Sequence, residues 1–491
     1  MTLEVEPANR TALQSTHLVD PGDAGRVRAG LAWVYGDDAA LLDGAVARLV
    51  GLAEAHRRDY GTECQFIRTP GRINLIGEHT DYNGLPVLPM TLHRDLLLSF
   101  SPRSDGRVRI QNTSDEYPPR EFALEPAIAP SPGDWVNYVK AAWQALVQLI
   151  AEKGLPPERL GGADLVLDGD LPSGAGLSSS SALVVAAALA GLYAAGLPVD
   201  KPDLAERLAE GERYVGTCGG GMDQAVVLLG QPGHALLIDF FPLRTASVPL
   251  PPGRTVVAAH SLVKANKTGA QRLDYNLRPA ECALAVALLN AGGESIRLLG
   301  ELEKRPEALD LVERNVPAGP VSYRELTDRL GQGEALERAA GILAEFDFDA
   351  DRALFQPGRR ARHVLTEGRR VRQTAAALER GQMEKVGALL CASHVSCAED
   401  YGISTPELDA LVRVCKSAGA LGARLTGAGF GGFVVALVEE SGCDAVLARI
   451  ESDYYQGYLK KNRPDLAACF TRDLLFRATS TRGADRLTLP V

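Results

Sequence analysis

A strand pattern, a glycine- and serine-rich loop and a strongly apolar helix pattern follow one another directly between residues 163 and 196. The strand reads ADLVLDGD, the loop begins at Pro172, and the helix continues as ALVVAAALAGLYAAG. The apolar run from Ala182 to Leu192 is too short to cross a bilayer, which takes about 20 residues. We therefore expect this helix inside the core of a domain that combines helices with a sheet.

Charge and composition exclude several classes of protein. The chain has 491 residues, with 52 Lys and Arg against 62 Asp and Glu, so its formal net charge is −10. Nucleic acids and anionic membranes are bound through basic surfaces, so we expect neither as a partner. The N-terminus, MTLEVEPANR, lacks the basic-then-apolar pattern of a signal peptide. These features predict a cytoplasmic protein. We also expect a monomer that acts on a small molecule.

The eight cysteines stand singly along the chain, without a C-x-x-C pair or a neighbouring histidine cluster. In a chain of this length that spacing indicates buried thiols and argues against both a disulfide framework and a zinc site.

The run FPLRTASVPLPPGRT at 241–255 looks like a crossing segment between two larger units. Residues 1–40 show no clear period, and we expect an N-terminal extension that is partly disordered. Residues 41–245 form the predicted N-terminal domain and residues 246–491 the C-terminal domain. The segment near 294–350 is more charged and irregular, which suggests an insertion.

Within these units the periodicity predicts individual elements. Helices are expected over 42–57, 135–151, 280–291, 360–379, 405–417 and 442–452. Strands are expected over 64–68, 163–170 and 255–261, with 96–101 and 107–111 as runs of an antiparallel sheet.

The loop Gly427–Gly432 matches G-x-G-x-x-G, yet its surroundings do not fit the proteins that use this pattern. A dinucleotide-binding loop opens a helix, whereas FVVALV, a strand pattern, follows here. A protein kinase needs its catalytic loop and D-F-G downstream, and neither is present. No G-x-x-x-x-G-K-[ST] sequence occurs, which excludes a P-loop NTPase.

The loop from Pro172 to Ser181 is the better candidate for a phosphate site. Gly174 and Gly176 let the backbone approach an anion, and Ser178 to Ser181 lie where the helix begins. Free N–H groups and the helix dipole favour a phosphate there. A serine N-cap on a buried helix explains one of these serines, but not four together with two glycines.

A second group of polar residues lies between glycines at 71, 77 and 84, which interrupt regular structure. Their carboxylates and imidazole suit the vicinal hydroxyls of a sugar, although a solvated turn is the alternative. The residues are Arg72, Asn74, Glu78, His79, Asp81 and Tyr82.

A third group is Gly219-Gly-Gly-Met-Asp223-Gln224. An Asp beside glycines is most often a turn residue or a helix cap. Facing a phosphate site and a hydroxyl, it would be a candidate general base. The sequence alone does not choose between these two roles.

Taken together, these segments resemble the galactokinase family of the GHMP kinase superfamily. GRINLIGEHTDYNG resembles the family's sugar-site signature, LPSGAGLSSSSAL the ATP loop of the superfamily, and RLTGAGFGG its third motif. The likeness extends to WVNYVKA, GTCGGGMDQ and SHVSCAEDYGISTPELDAL, and covers the chain from about 62 to at least 455.

The resemblance implies an α+β fold, with a ribosomal-S5-like N-terminal domain, a ferredoxin-like C-terminal domain and the site between them. It also implies ATP-dependent phosphorylation of the anomeric hydroxyl of galactose. Asp223 would be the base and Arg72 its electropositive partner. The implied sugar residues are Glu78, His79, Asp81, Gly220 and Tyr275. The implied ATP residues are Gly174, Ala175, Gly176, Leu177, Ser178, Ser179 and Ser180.

Two features depart from the bacterial members of that family. Their Mg²⁺-binding glutamate lies twelve residues before the catalytic Asp, a position that Gly211 occupies here, so Ser180 and the neighbouring Glu212 are the expected ligands. NGLPVLPM and ERYVGTCGGGMDQ resemble the N-acetylgalactosamine kinase branch, whereas Tyr275 is the galactokinase-like choice. Three alternative functions stay open. The first is a kinase for N-acetylgalactosamine or arabinose. The second, a mevalonate or homoserine kinase, is disfavoured by the GEHTDY cluster, and the third, a non-catalytic sugar and ATP sensor, is disfavoured by the intact GLSSSSAL loop.

Overall fold

The computed structural model describes residues 10–172, 176–211, 214, 220–264, 270–346, 348–349 and 352–491. Its strands are β1 (Arg10–Ala12), β2 (Gln65–Asn74), β3 (Pro89–Arg103), β4 (Arg107–Asn112), β5 (Arg120–Ala123), β6 (Gly162–Gly169), β7 (His234–Asp239), β8 (Arg244–Pro249), β9 (Arg254–His260), β10 (Val321–Ser322), β11 (Leu354–Phe355), β12 (Gly422–Thr426), β13 (Phe433–Glu439), β14 (Leu475–Ala478), β15 (Asp485–Arg486) and β16 (Thr488–Pro490). Its α-helices are α1 (Ser15–Val19), α2 (Ala24–Tyr35), α3 (Ala39–Tyr60), α4 (Asn137–Glu152), α5 (Ser179–Ala194), α6 (Lys201–Gly211), α7 (Met222–Leu229), α8 (Ala270–Ala291), α9 (Ala308–Asn315), α10 (Tyr323–Leu330), α11 (Glu334–Glu345), α12 (Pro357–Glu379), α13 (Met383–Ser396), α14 (Pro406–Ser417), α15 (Cys443–Ile450), α16 (Lys460–Asn462) and α17 (Pro464–Ala467). Turns of π-helix extend α13 over Cys397–Tyr401 and α15 over Glu451–Leu459.

The N-terminal domain is built on a six-stranded sheet with the order β15-β2-β3-β6-β4-β5. Because side chains alternate along a strand, its two faces enter different cores. Ile67 and Leu98 belong to the core that contains α4 and α5, whereas Phe66 and Leu97 belong to a smaller core with α2 and α3. Helix α5 is buried along nearly its whole length, as its composition predicted.

The runs 96–101 and 107–111 are strands as expected, but they are not neighbours in the sheet. Strand β6 lies between them, antiparallel to β3 and parallel to β4. Asp164 of β6 explains this order in part, because its carboxylate accepts hydrogen bonds from Arg103 of β3 and from Arg109 of β4. Alternation of polar and apolar residues identifies a strand but not its partner, so the sequence pattern does not predict this pairing.

The C-terminal domain is built on a four-stranded sheet with the order β12-β13-β9-β14, and its helices include α8 and α12 to α15. Val257 and Val434 belong to the core of this domain, whereas Val256 and Val435 belong to the larger core, which contains side chains of α12 and α13 together with those of the N-terminal domain. The predicted crossing segment is shorter than expected, because β8 pairs with β7 before the chain enters β9.

The segment near 294–350 is more regular than its charged composition suggested. It contains α9, α10 and α11, which bury Val312, Leu326 and Leu343 in the core of the C-terminal domain. These helices are short and amphipathic, so their charged outer faces dominate the composition.

The predicted N-terminal extension carries β1, α1 and α2, and residues 1–9 lie outside the described part of the chain. Strand β1 pairs with β16 at the other end of the chain, and Leu13 and Leu31 are buried beside Leu487 and Leu489. These contacts join segments more than 400 residues apart, which a local hydrophobic period does not reveal.

The described cysteines are all free thiols, while Cys218 lies among the residues that the structure leaves out. Among the described helices, none combines the length and the apolar composition that crossing a membrane requires.

Candidate active site

A cleft of about 690 Å³ lies between the two domains. The segment that follows β2, the first turns of α5 and α7, and the loop between β12 and β13 all contribute to its walls. The three polar groups that the sequence singled out thus meet at one place, and the loop Gly427–Gly432 faces them from the C-terminal domain.

Arg72 and Asp223 form the ion pair of this cleft. The Nε and Nη2 groups of Arg72 donate to the two carboxylate oxygens of Asp223, at 2.6 and 2.9 Å. Arg72 lies where the pairing of β2 with β3 shifts its register, and a bulge of this kind changes the direction of a side chain. Gly71 permits the close packing there, since a Cβ would lie 2.4 Å from the Leu171 side chain.

The start of α5 brings the serine loop to the same carboxylate. Ser178, with a φ of 61°, precedes the first turn, and its hydroxyl donates to Asp223. Gly176, with a φ of 84°, accepts a 2.6 Å hydrogen bond from Arg72, while Leu177 is buried and its carbonyl accepts from the Arg72 backbone. Ser179 and Ser180 occupy the first turn of α5 and line the cleft. Gly174 and Ala175 lie outside the described residues.

His79 and Asp81 form the opposite wall. Both ring nitrogens of His79 have partners, the Tyr82 hydroxyl at 2.9 Å and the Ala428 carbonyl at 3.1 Å. Burial lowers the pKa of His79 to about 3, so this imidazole is neutral at pH 7. Burial also raises the pKa of Asp81 to about 6, against the backbone N–H groups of Tyr82 and Gly220, which favour the ionised form.

Gly220 packs directly against Asp81, because a Cβ at this position would lie 2.3 Å from the Asp81 carboxylate carbon. Tyr275 also lines the cleft, and its ring centroid is 6.0 Å from that of His79. Gly220 and Tyr275, two of the predicted sugar residues, therefore lie at the wall formed by His79 and Asp81.

Glu78 is almost completely buried, with 2% of its surface exposed, and it lines the same cleft. One carboxylate oxygen accepts a 2.9 Å hydrogen bond from the Gly427 amide, and the other pairs with the guanidinium of Arg424. The carboxylate thus links the sugar-site signature to the C-terminal domain.

The predicted metal ligands are only partly described. Ser180 is at the cleft, whereas Glu212 lies outside the described residues. Among the residues that the structure does describe, no group of three or more His, Cys, Asp and Glu side chains could hold a metal ion.

Several residues of the site were missed by the sequence analysis. Arg424 is the first residue of RLTGAGFGG, but no local pattern marks a buried arginine as the partner of a distant carboxylate. Tyr117, Trp135 and Tyr138 also contribute aromatic side chains to the cleft. The last two belong to WVNYVKA, which resembles the family but whose residues carry no local sign of a binding role.

Comparisons with known proteins agree with this architecture. Residues 137–231 match the model of the N-terminal domain of GHMP kinases, and residues 374–456 match that of the C-terminal domain. The fold and the cleft between its two domains therefore define a GHMP kinase, and the predicted α+β fold class is confirmed. Residues 54–102 match the galactose-binding signature of galactokinases.

The galactokinase of Dictyostelium discoideum is 33% identical over 433 residues, which cover 81% of this chain and 85% of that protein. The chain belongs to the galactokinase family. Its structure is similar to that of Lactococcus lactis galactokinase complexed with galactose, with a TM-score of 0.70 and 27% identity over 90% of this chain and 100% of that one.

Proposed function

We propose that the protein is an ATP-dependent sugar 1-kinase that converts galactose and ATP into galactose 1-phosphate and ADP. The observation that carries this proposal is the ion pair of Arg72 and Asp223, placed between the serine loop and the wall of His79 and Asp81. A carboxylate at this position is within reach of both a phosphate bound at α5 and a hydroxyl bound at the opposite wall.

In this reaction the anomeric oxygen of the sugar attacks the γ-phosphorus of ATP, and the bond to the β-phosphate oxygen breaks. Asp223 takes the proton that the anomeric hydroxyl loses. Arg72 holds the Asp223 carboxylate through two hydrogen bonds and places a positive charge beside the phosphoryl group that is transferred. Such charge stabilisation and positioning supply most of the rate in phosphoryl transfer.

The nucleotide phosphates would bind at the N-terminus of α5. The first backbone N–H groups of a helix have no partner within the helix, and the helix dipole favours an anion there. Gly176 to Ser180 surround this position, and the described serines supply additional donors. Gly174 and Ala175 would complete the loop.

Galactose would bind at the opposite wall, with Glu78, His79, Asp81, Gly220 and Tyr275 around it. With a pKa of about 6, Asp81 is mainly ionised at pH 7 and accepts hydrogen bonds from hydroxyl groups. The neutral His79 adds no charge that would compete with Arg72.

Mg²⁺ fits this site as an ion carried largely by the nucleotide, because it binds proteins through few ligands and keeps the phosphate oxygens of its substrate. When bound, it neutralises charge on the phosphates. Ser180 at the start of α5 would supply a hydroxyl oxygen, and Glu212 would be the carboxylate ligand.

We further propose that the protein acts in the cytoplasm as a monomer. The described cysteines are free thiols, five of them buried, which suits a reducing compartment.

The test is ADP release with MgATP and a panel of galactose, N-acetylgalactosamine, L-arabinose, glucose and mevalonate. We expect galactose to give the highest kcat/KM. A preference for N-acetylgalactosamine would assign the protein to that branch and overturn galactose as the substrate. If the protein binds ATP but turns over none of these sugars, the kinase proposal is wrong and a non-catalytic sensor becomes the better interpretation.

A further inference from the structure

Arg424 lies at the edge of the C-terminal sheet, on β12, and is completely buried. Its Nε donates to the Ser393 hydroxyl at 3.0 Å, and its Nη1 lies 3.4 and 3.3 Å from the carbonyl oxygens of Asn74 and Leu75. Its Nη2 pairs with the carboxylate of Glu78. One side chain of the C-terminal domain thus holds the segment that carries the sugar-site signature.

A second carboxylate completes this arrangement. Glu367 of α12 is fully buried, accepts a 3.1 Å hydrogen bond from the Gly77 amide, and lies 3.9 Å from the Arg424 guanidinium. Its other oxygen accepts from Arg370 at 2.7 Å. Glu367 therefore has its own cation, and Arg424 is the cation that faces Glu78.

A buried carboxylate needs such a partner to stay ionised. Burial raises the pKa of Glu78, and the guanidinium of Arg424 acts against that rise. A carboxylate has about four acceptor positions. Glu78 uses one of them for Gly427 and one for Arg424, which leaves acceptor capacity for a ligand in the cleft.

We propose that Arg424 is a positioning residue for the sugar: it fixes the Glu78 carboxylate at the cleft wall and keeps it ionised as an acceptor for a sugar hydroxyl. This role rests on the proposed function. It differs from that of a purely structural ion pair, because loss of the guanidinium changes the ionisation of Glu78 and with it the affinity for the sugar.

Apart from Asp81, the titratable groups around Glu78 keep one charge state between pH 6.5 and 9. Although burial acts the other way, Arg370 and Arg424 lower the pKa of Glu367 to about 2. Burial lowers the pKa of His363, which lies 3.1 Å from the Glu78 carbonyl, to about 4, and raises that of the Cys397 thiol to about 12. Asp81 titrates near pH 6 in the wild type as well, so its contribution cancels in a comparison.

The experiment compares Arg424→Met, Arg424→Lys and the double variant Arg424→Met with Glu78→Gln. Kinetic constants for galactose and for ATP are measured from pH 6.5 to 9. We expect Arg424→Met to raise the KM for galactose about tenfold or more at pH 7, with the KM for ATP nearly unchanged. Its KM for galactose falls as pH rises, because the Glu78 carboxylate then ionises. Arg424→Lys, which keeps a cation, restores part of the affinity.

The double variant separates the effect of Glu78 ionisation from a structural effect of losing Arg424. It lacks the unpaired carboxylate, so we expect a weak affinity for galactose whose pH dependence is the same as that of the wild type over this range. Arg68→Met is the matched control, because Arg68 is also buried and paired with a buried carboxylate, Asp95, but lies outside the cleft. It should lower the melting temperature and leave the KM for galactose unchanged.

Each outcome has one meaning. A KM for galactose within about twofold of the wild type in both single variants, or a pH profile unchanged in Arg424→Met, would overturn the role of Arg424 while leaving the kinase intact. If Arg424→Met does not fold, Arg424→Gln, which also removes the cation but keeps a polar side chain, is measured in its place. If the wild type prefers another sugar of the panel, that sugar replaces galactose; a wild type inactive with every sugar overturns the proposed function itself.

Discussion

His79 shows how the contacts of one residue limit its chemistry. A carbonyl oxygen only accepts, so the Nε2 of His79 donates to Ala428, and the neutral ring must then accept at Nδ1 from the Tyr82 hydroxyl. The hydroxyl of Tyr401, 2.6 Å from that of Tyr82, is left to donate to it. A sugar hydroxyl reaches the nitrogens of His79 only by replacing one of these bonds.

At the same scale, the role of Asp223 as a base is tested by Asp223→Ala. We expect kcat to fall by a factor of about 10²–10⁴, because a positioned general base contributes a factor of that order. The affinity for ATP should change little, since the first turn of α5 remains. Initial rates and ATP binding, measured on the same preparation, check both expectations.

Asp164→Ala is the matched control for this substitution. Asp164 also accepts two hydrogen bonds from one arginine, Arg109, at 2.6 and 2.8 Å, but it lies outside the cleft. Its removal should cost stability and leave kcat unchanged. A nearly wild-type kcat for Asp223→Ala would remove Asp223 from the role of base.

At the scale of elements, the sequence predicted best what depends on local pattern. Helices α3, α4 and α12 and strands β6 and β9 lie where periodicity placed them, within a few residues. Periodicity does not predict what long-range contacts determine, such as the position of β6 between β3 and β4 in the sheet. The same holds for the site. Its glycines and serines are visible in the sequence, whereas the role of Arg424 is seen only from its contact with Glu78 in the structure.

The start of α5 is tested as an element by Gly176→Val. Gly176 has a φ of 84°, and a Cβ there would meet no protein atom within 4 Å, so the side chain would project into space next to the cleft. We expect the affinity for ATP to fall more than the affinity for galactose, because the branched side chain obstructs the phosphates. Separate titrations of ATP and galactose measure the two effects.

Gly154→Val separates this obstruction from backbone strain. Gly154 also has a positive φ, of 64°, with open space at its Cβ position, but it lies at the end of α4 and away from the cleft. Its substitution should lower stability without affecting ATP. Unaltered ATP affinity in Gly176→Val would place the nucleotide elsewhere.

At the scale of the whole molecule, the two ends of the chain form one small unit on the outer face of the N-terminal sheet. Strand β1 pairs with β16, and Gly30 of α2 lets this helix approach the Thr488 carbonyl, which a Cβ would meet at 2.5 Å. The side chains of Phe66, Leu97 and Val166 reach this core from the face of the sheet opposite to the one that covers α5. The unit therefore supports the sheet without entering the cleft.

Leu489→Ala tests whether this outer unit stabilises the fold without taking part in catalysis. Leu489 is completely buried in the smaller core, so its truncation should lower the free energy of unfolding by about 2–5 kcal/mol. The KM values for galactose and ATP should stay at their wild-type values at 25 °C, because the sheet separates this core from the cleft. Denaturant unfolding and initial rates check the two expectations, with the exposed Val491→Ala as the control that changes neither. A raised KM in Leu489→Ala would show that the outer face of the sheet is coupled to the cleft.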